Sequence, residues 1–152
     1  MTALNWNRLD DEGFERLLFA LLSDVRGYDN VQWLMKTNAP DRGRDVSAWR
    51  VRADELTDVD RERVIVQCKH WPNRSVSPVD VAEVLAKVTL WEPPPVDILI
   101  IATTGRFTAD AVKKVEDHNA HRTRPRIDMW PDSTLERLLD RRPHLVASFN
   151  LR

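Results

Sequence analysis

The sequence predicts an α/β fold in which a central mixed sheet lies between two layers of helices, a three-layer α/β/α arrangement. Three observations predict it. A segment with helical spacing of apolar residues precedes three strand-like segments. Helical and strand-like segments then alternate, as expected for strands joined by helices. Residues 96–102 are almost all apolar, which is typical of a strand covered on both faces. The predicted order is α-β-β-β-α-β-α-β-α.

The first half of the chain predicts one helix and three strands. Asp10 or Asp11 can cap a helix whose apolar residues recur on one face, and Gly27 is a suitable residue for its end. Three strands are expected next, at 30–35, 45–51 and 64–69. The charged segment 52–62 lacks strand periodicity, so we expect it to be the connection of a long hairpin.

The second half predicts three helices and two strands. Ser77 as N-cap and Pro78 at the first helical position begin a helix that must end before the prolines at 93–95. After the strand at 96–102, Thr108 can cap a helix over 109–119. A strand at 126–130 and a helix at 133–140 follow. The tail 145–152 carries no predicted element.

Composition limits the class of protein. A chain of 152 residues is long enough for one domain with a core, so we expect a single domain over 1–152. Net charge is −1, whereas a chain that only holds nucleic acid is usually basic, so any DNA contact must use a local patch. We expect a cytoplasmic protein without membrane contact, for three reasons. The chain has one cysteine, residues 1–8 lack a basic segment followed by an apolar one, and no apolar run is long enough to span a membrane.

Polar side chains at two strand ends indicate a site. Strand alternation puts Gln67 and Lys69 on one face and Cys68 on the other. Asp45 opens the preceding strand, so the three polar side chains can converge if the two strands pair. A carboxylate and a neutral oxygen suit Mg²⁺, and the lysine can hold a water or a phosphate oxygen.

These residues resemble the motifs of the Mrr-type branch of the PD-(D/E)xK nuclease superfamily. The matching features are Glu15 in the first helix, Asp45 after Gly43-Arg44, the Gln67-Cys68-Lys69 motif, and a threonine-rich turn at 103–108. The resemblance covers most of the chain and implies a restriction-endonuclease-like fold. It also implies a Mg²⁺-dependent DNA endonuclease, with Mn²⁺ as a substitute, which acts on duplex DNA in defence against foreign or modified DNA.

The resemblance also implies roles for single residues. Asp45 would be the main metal ligand, and Gln67 would be a ligand or a group that orients water. The backbone carbonyl of Cys68 would complete the coordination, and Lys69 would position or polarise the attacking water. Glu15 would be an auxiliary residue of the metal site, unless it is a surface glutamate paired with a nearby arginine. Glutamine in place of the commoner acidic residue marks this branch of the superfamily.

Other residues near the motifs have two interpretations each. Asp41 is either a turn residue or a helper of a second metal ion. His70 either contacts a phosphate or is a loop histidine beside an aromatic residue. Four arginines are expected on loops at the same end of the sheet, where they either bind DNA phosphates or serve surface solubility. They are Arg42, Arg44, Arg74 and Arg106.

No helix-turn-helix, zinc finger or other base-reading motif is evident. We therefore expect a homodimer, association with a separate recognition or sensor domain, or a place as effector domain of a longer protein. The alternative function is a catalytically inactive nuclease-fold module that binds DNA or a protein partner, because Gln67 is a weaker ligand than a carboxylate.

Overall fold

The computed structural model describes residues 3–33, 46–52, 56 and 60–152. Five strands form one sheet in the order in which they occur along the chain. They are β1 (Tyr28–Trp33), β2 (Val46–Arg52), β3 (Asp60–Lys69), β4 (Ile98–Thr103) and β5 (Arg126–Trp130). Strands β1, β2 and β3 pair antiparallel, whereas β3, β4 and β5 run parallel. The predicted mixed sheet is therefore confirmed.

Helices cover both faces of the sheet. They are α1 (Asp11–Asp24), α2 (Pro78–Ala86), α3 (Ala109–Ala120), α4 (Asp132–Asp140) and α5 (Pro143–Ser148), with short 3-10 turns at Trp6–Arg8 and Val88–Trp91. One core cluster joins α1, α4 and α5 to the sheet. A second cluster joins α2 and α3 to the opposite face. The three-layer arrangement follows from these two cores.

The helix starts agree with the capping residues in the sequence. The Asp10 side chain accepts a hydrogen bond from the Gly13 backbone at 2.6 Å, and Thr108 accepts one from Ala111. Ser77 and Asp80 form a reciprocal capping box at the start of α2. Each cap satisfies backbone donors that the first helical turn leaves without partners.

Four sequence-based expectations about element boundaries were wrong. Strand β3 begins at Asp60, inside the segment expected to be a connection. Helix α1 ends at Asp24, so Gly27, with φ +99, lies beyond the cap residue Val25. The tail contains α5, because Leu145, Val146 and Leu151 are buried in the first core cluster. The predicted strand 30–35 begins earlier, at Tyr28, and its last two positions lie outside the described residues.

Among the residues that the structure describes, no helix combines the length and the apolar character needed to cross a membrane.

Candidate active site

The end of strand β3 presents its side chains as the sequence indicates. Cys68 packs against the first core cluster, together with Val66. Ile65 belongs to the second cluster, so alternation places Gln67 and Lys69 on the side of α2 and α3. Gln67 is buried and Lys69 is partly exposed. An amide and an ammonium group therefore lie on one face, at the carboxyl end of a central strand.

Strand β2 reaches this end of β3 from the other direction. The last described pair of the ladder is Val46 with Val66, one residue before Gln67. Asp45, which precedes Val46 in the chain, lies outside the described residues. The same holds for Asp41, Arg42 and Arg44.

The backbone of β3 directs its carbonyl groups alternately to β2 and β4. The Lys69 carbonyl accepts a hydrogen bond from the Thr104 backbone at 3.2 Å, on the β4 side. The Cys68 carbonyl is therefore directed to the β2 side, where the described ladder has ended at Val46. A hard backbone oxygen thus faces β2 beyond the last described pair of the ladder.

Glu15 is 5% exposed, which excludes a solvated surface position. Helix α1, which carries it, packs on the first core cluster. Gln67 and Lys69 belong to the other face by alternation, so Glu15 would have to approach them at the end of the sheet. Its role as an auxiliary residue stays a prediction.

His70 has protein partners on both ring nitrogens. Its Nε2 lies 2.7 Å from the Leu9 carbonyl oxygen, which can only accept, so Nε2 carries a proton. Its Nδ1 lies 3.2 Å from the Thr104 hydroxyl. The ring also contacts Phe14, with centroids 5.7 Å apart. His70 therefore links the end of β3 to the segment before α1 and to the turn after β4, and a phosphate contact would have to compete with these bonds.

The turn after β4 packs closely on the loop that follows Lys69. A Cβ added at Gly105 would lie 2.5 Å from the Arg74 carbonyl oxygen, and closer still to that of Trp71. The Gly105 backbone amide donates to the Thr103 hydroxyl at 3.0 Å, and the Val76 amide donates to the Arg106 carbonyl at 2.8 Å. This close approach fixes the 71–76 segment against the turn.

Trp71 is a neighbour of the predicted lysine that the sequence analysis missed. The Lys69 Nζ lies 5.1 Å from the centre of the Trp71 ring, and the Arg74 guanidinium carbon lies 3.9 Å from it. Arg74 also donates to the buried Asp80 carboxylate at 3.0 Å. Nothing in the sequence indicated this contact between Arg74 and Asp80. The capping pattern from Ser77 to Asp80 predicted only the start of a helix, and not that Asp80 would pair with Arg74.

Asp80 is the most distinctive titratable group near this cluster. Burial alone would raise the pKa of its carboxyl. Hydrogen bonds from the Ser77 backbone and hydroxyl, together with the charges of Arg74 and Lys69, outweigh burial and leave the pKa below its ordinary value. A carboxylate thus stays charged at one border of the site.

Arg106 follows the turn and is largely exposed, with its Nε 3.8 Å from an Asp132 oxygen. Arg74 is mostly exposed too, despite its contact with Asp80. Both side chains can therefore meet a phosphate from solvent. No group of three His, Cys, Asp or Glu side chains suited to a metal occurs in the described ranges, which omit Asp41 and Asp45.

Comparison with known proteins first gives the fold class. The solved structure "DNA modification-dependent restriction endonuclease AspBHI" is similar to this chain with a TM-score of 0.65 and 15% sequence identity. The likeness covers 91% of this chain and 34% of that one, so the chain spans about a third of AspBHI. At this identity it shows a shared fold of the restriction-endonuclease type.

The family comparison is more specific. The Mrr_cat family model, described as "Restriction endonuclease", matches residues 6–139, which is most of the chain. The chain therefore belongs to this Mrr family of restriction endonucleases, as the sequence motifs indicated. No curated protein sequence matches the chain.

Proposed function

We propose that this chain is a nuclease domain that hydrolyses phosphodiester bonds of duplex DNA with a divalent cation, Mg²⁺ or its substitute Mn²⁺. Defence against foreign or modified DNA is the proposed setting. One observation carries the proposal. Gln67 and Lys69 share a face at the end of β3, one and three residues beyond the last described pair of β2 with β3, and Asp45 adjoins that pair in the chain.

Chain connectivity limits how far Asp45 can be from Gln67. Consecutive Cα atoms are about 3.8 Å apart, and opposed residues of an antiparallel ladder are about 4.5–5.5 Å apart. Because Val46 is opposite Val66, the Cα atoms of Asp45 and Gln67 are at most about 13 Å apart. Two side chains of this length can meet across that gap around one ion.

The donor set suits a hard cation. We assign the Asp45 carboxylate, the Gln67 amide oxygen and the Cys68 carbonyl as its ligands, since Mg²⁺ prefers oxygen ligands and keeps several waters. The direction of the Cys68 carbonyl toward β2 supports this assignment. When bound, the cation would neutralise charge on the phosphate and make a bound water more acidic.

Lys69 would supply what the oxygen ligands cannot. Its ammonium group can donate hydrogen bonds to the attacking water and to a phosphate oxygen, which positions the water and offsets charge that grows in the transition state. Its partly exposed position leaves it accessible to DNA. Gln67, which is buried, would hold its ligand oxygen in a fixed orientation.

DNA contact outside the site would come from exposed arginines, with Arg74 and Arg106 as the described candidates and Arg42 and Arg44 as further ones. Phosphate contacts of this kind position the duplex without reading its sequence. Because net charge is only −1, we propose that a second copy of the chain or a separate recognition domain completes the DNA-binding surface.

The test is cleavage of supercoiled plasmid and of modified and unmodified linear DNA with Mg²⁺ or Mn²⁺. Asp45→Asn and Lys69→Met should each reduce the rate by about 100-fold or more, the usual range for loss of a proton-transferring or water-positioning group. Lys87→Met and Asp117→Asn are matched controls, because both side chains are exposed, Lys87 directly after α2 and Asp117 on α3. They should cleave at the normal rate.

A calorimetric titration with Mn²⁺ separates the two functions. A nuclease site predicts metal binding that Asp45→Asn removes. An inactive binding module predicts no uptake that depends on Asp45, no cleavage, and retained DNA binding. Full cleavage by either site variant would refute the assigned residues.

A further inference from the structure

Two cations lie over the Trp71 ring, and one of them is the proposed active-site lysine. The Lys69 ammonium is 5.1 Å from the ring centre, and the Arg74 guanidinium is 3.9 Å from it. Both distances fall within the range of about 6 Å in which the negative face of an indole attracts a cation. Tryptophan is the strongest of the aromatic side chains in this interaction.

Backbone hydrogen bonds and packing restrict the position of Trp71. The Trp71 amide donates to the Lys69 carbonyl at 2.9 Å, and the Trp71 carbonyl accepts from the Arg74 amide at 3.3 Å. Gly105 packs directly under the Trp71 carbonyl oxygen. The side chain rests against the second core cluster. The ring therefore has few ways to move without disturbing the turn or the core.

The Asp80 carboxylate offsets the repulsion between the two cations that contact the Trp71 ring. Lysine and arginine side chains that share an aromatic neighbour repel each other. The Arg74 guanidinium is bound to the Asp80 carboxylate at 3.0 Å, and this carboxylate also interacts with Lys69. Its charge is secured by the lowered pKa. The four side chains thus form a cluster of net charge +1, in which each cation contacts the ring and interacts with the Asp80 carboxylate.

We infer that Trp71 is a positioning residue for Lys69: its ring holds the lysine ammonium at the end of β3, and Asp80 keeps Arg74 from displacing it. The inference rests on the proposed role of Lys69 in DNA cleavage. A lysine side chain has four rotatable bonds and loses much entropy when fixed. A ring that already confines it reduces the number of orientations from which it must reach water or phosphate.

The first test is magnetic resonance of the full chain with ¹³C-labelled lysine, which gives few signals because the sequence has five lysines. One Cε–Hε signal should be shifted upfield by the ring current of Trp71. Lys69→Arg should remove this signal, and Trp71→Leu should return it to the position of an exposed lysine. A wild-type spectrum without an upfield-shifted lysine would overturn the inference, whatever the activity.

The second test is single-turnover cleavage. Trp71→Leu keeps apolar volume against the core but lacks the aromatic face, and Trp71→Phe keeps an aromatic face. Cation–π energies predict a rate constant about 2- to 30-fold lower for Trp71→Leu, with a value between this and wild type for Trp71→Phe. The protein concentration that gives half-maximal rate should change less than the rate constant.

A matched control is Trp49→Leu, because Trp49 also has a cation over its ring, Arg61 at 5.4 Å, but lies on β2 away from Lys69. Its rate should equal that of wild type. Equal rates for Trp71→Leu and wild type, or equal losses for Trp71→Leu and Trp71→Phe, would overturn the inference. An upfield-shifted Lys69 in a protein that cleaves no DNA would instead overturn the proposed function and leave the Lys69–Trp71 contact standing.

Discussion

Gly105→Ala is expected to lower the free energy of unfolding because of the single Cβ atom that it adds. The new Cβ would lie 2.5 Å from the Arg74 carbonyl oxygen and closer to that of Trp71. The optimal separation of nonbonded carbon atoms is about 3.5–4.0 Å, so the turn at Gly105 and the segment that carries Trp71 and Arg74 must move apart by roughly 1 Å. Both obstacles are backbone atoms, which a side-chain rotation cannot move. We expect the free energy of unfolding to fall by about 3 kcal/mol, near the upper end of the 1–3 kcal/mol that overpacking usually costs.

The other described glycines are controls with different physics. Gly27→Ala would place Cβ at an ordinary contact distance, 4.0 Å from the Val51 carbonyl oxygen, but the φ there is +99, so the substitution should cost about 1–2 kcal/mol through backbone strain. Gly13→Ala would place Cβ 2.9 Å from an Asp10 carboxylate oxygen, a side-chain atom that can move. The gain of about 1 kcal/mol in helix propensity offsets part of any weakening of the cap. The expected order of destabilisation is Gly105, then Gly27, then Gly13.

The assay is urea unfolding of the three variants at pH 7, with thermal melting as a second measure. For a chain of this length a loss of about 3 kcal/mol lowers Tm by about 6–12 °C. Cleavage by Gly105→Ala should also fall, even where the protein is fully folded, because the displaced loop carries Trp71. A Gly105→Ala variant as stable as Gly13→Ala, with normal cleavage, would refute this account of the turn.

Two further predictions concern charges around the site. The pKa of Asp80 is lowered, so the stability that its carboxylate contributes is present above the ordinary aspartate pKa of about 4 and is lost as pH falls through the lowered value. Asp80→Asn should therefore be less stable than wild type at pH 7 and approach wild type in strong acid, as measured by urea unfolding. A difference in stability that does not depend on pH would contradict this. Arg106→Ala should make the slope of the log binding constant against log salt shallower by about 0.9 for one lost phosphate contact, as measured by fluorescence anisotropy on duplex DNA. Arg124→Ala should keep the slope, because Arg124 precedes β5, at the opposite end of the parallel strands from Arg106. Equal slopes in both variants would remove Arg106 from the interface.

Much of the fold could be predicted because local signals and the core agree. Ser77, Thr108 and Asp10 cap the helices that their positions indicate. The start of β3 could not be predicted from apolar periodicity, because its first residues are charged. They pair with β2 across the sheet, where Arg52 lies 3.5 Å from Glu62. Cross-strand contacts of this kind involve residues distant in the chain.

The tail was missed for a related reason. Helix α5 is only six residues long, too short to be stable by propensity alone. Burial of Leu145 and Val146 stabilises it, and the Asn5 amide donates to the Leu151 carbonyl at 2.8 Å, which joins the two ends of the chain. Such contacts appear only once the whole chain is folded.

The candidate site divides in the same way. Alternation along β3 was sufficient to place Gln67 and Lys69 on one face, because a strand has a fixed period. The bonds of His70 to Leu9 and Thr104 depend on how three separate segments meet. No spacing in the sequence could indicate them.

The central claim is that Asp45, Gln67 and Lys69 surround one point at which a cation and a DNA phosphate can meet. The most direct measurement is a crystal structure with Mn²⁺ and duplex DNA, read by the anomalous scattering of the metal. The account predicts an anomalous peak in contact with the Asp45 carboxylate, the Gln67 amide oxygen and the Cys68 carbonyl, with the Lys69 ammonium close to the nearest phosphate. A peak bound elsewhere, with the Asp45 side chain on the face of the sheet that α1 covers, would contradict it.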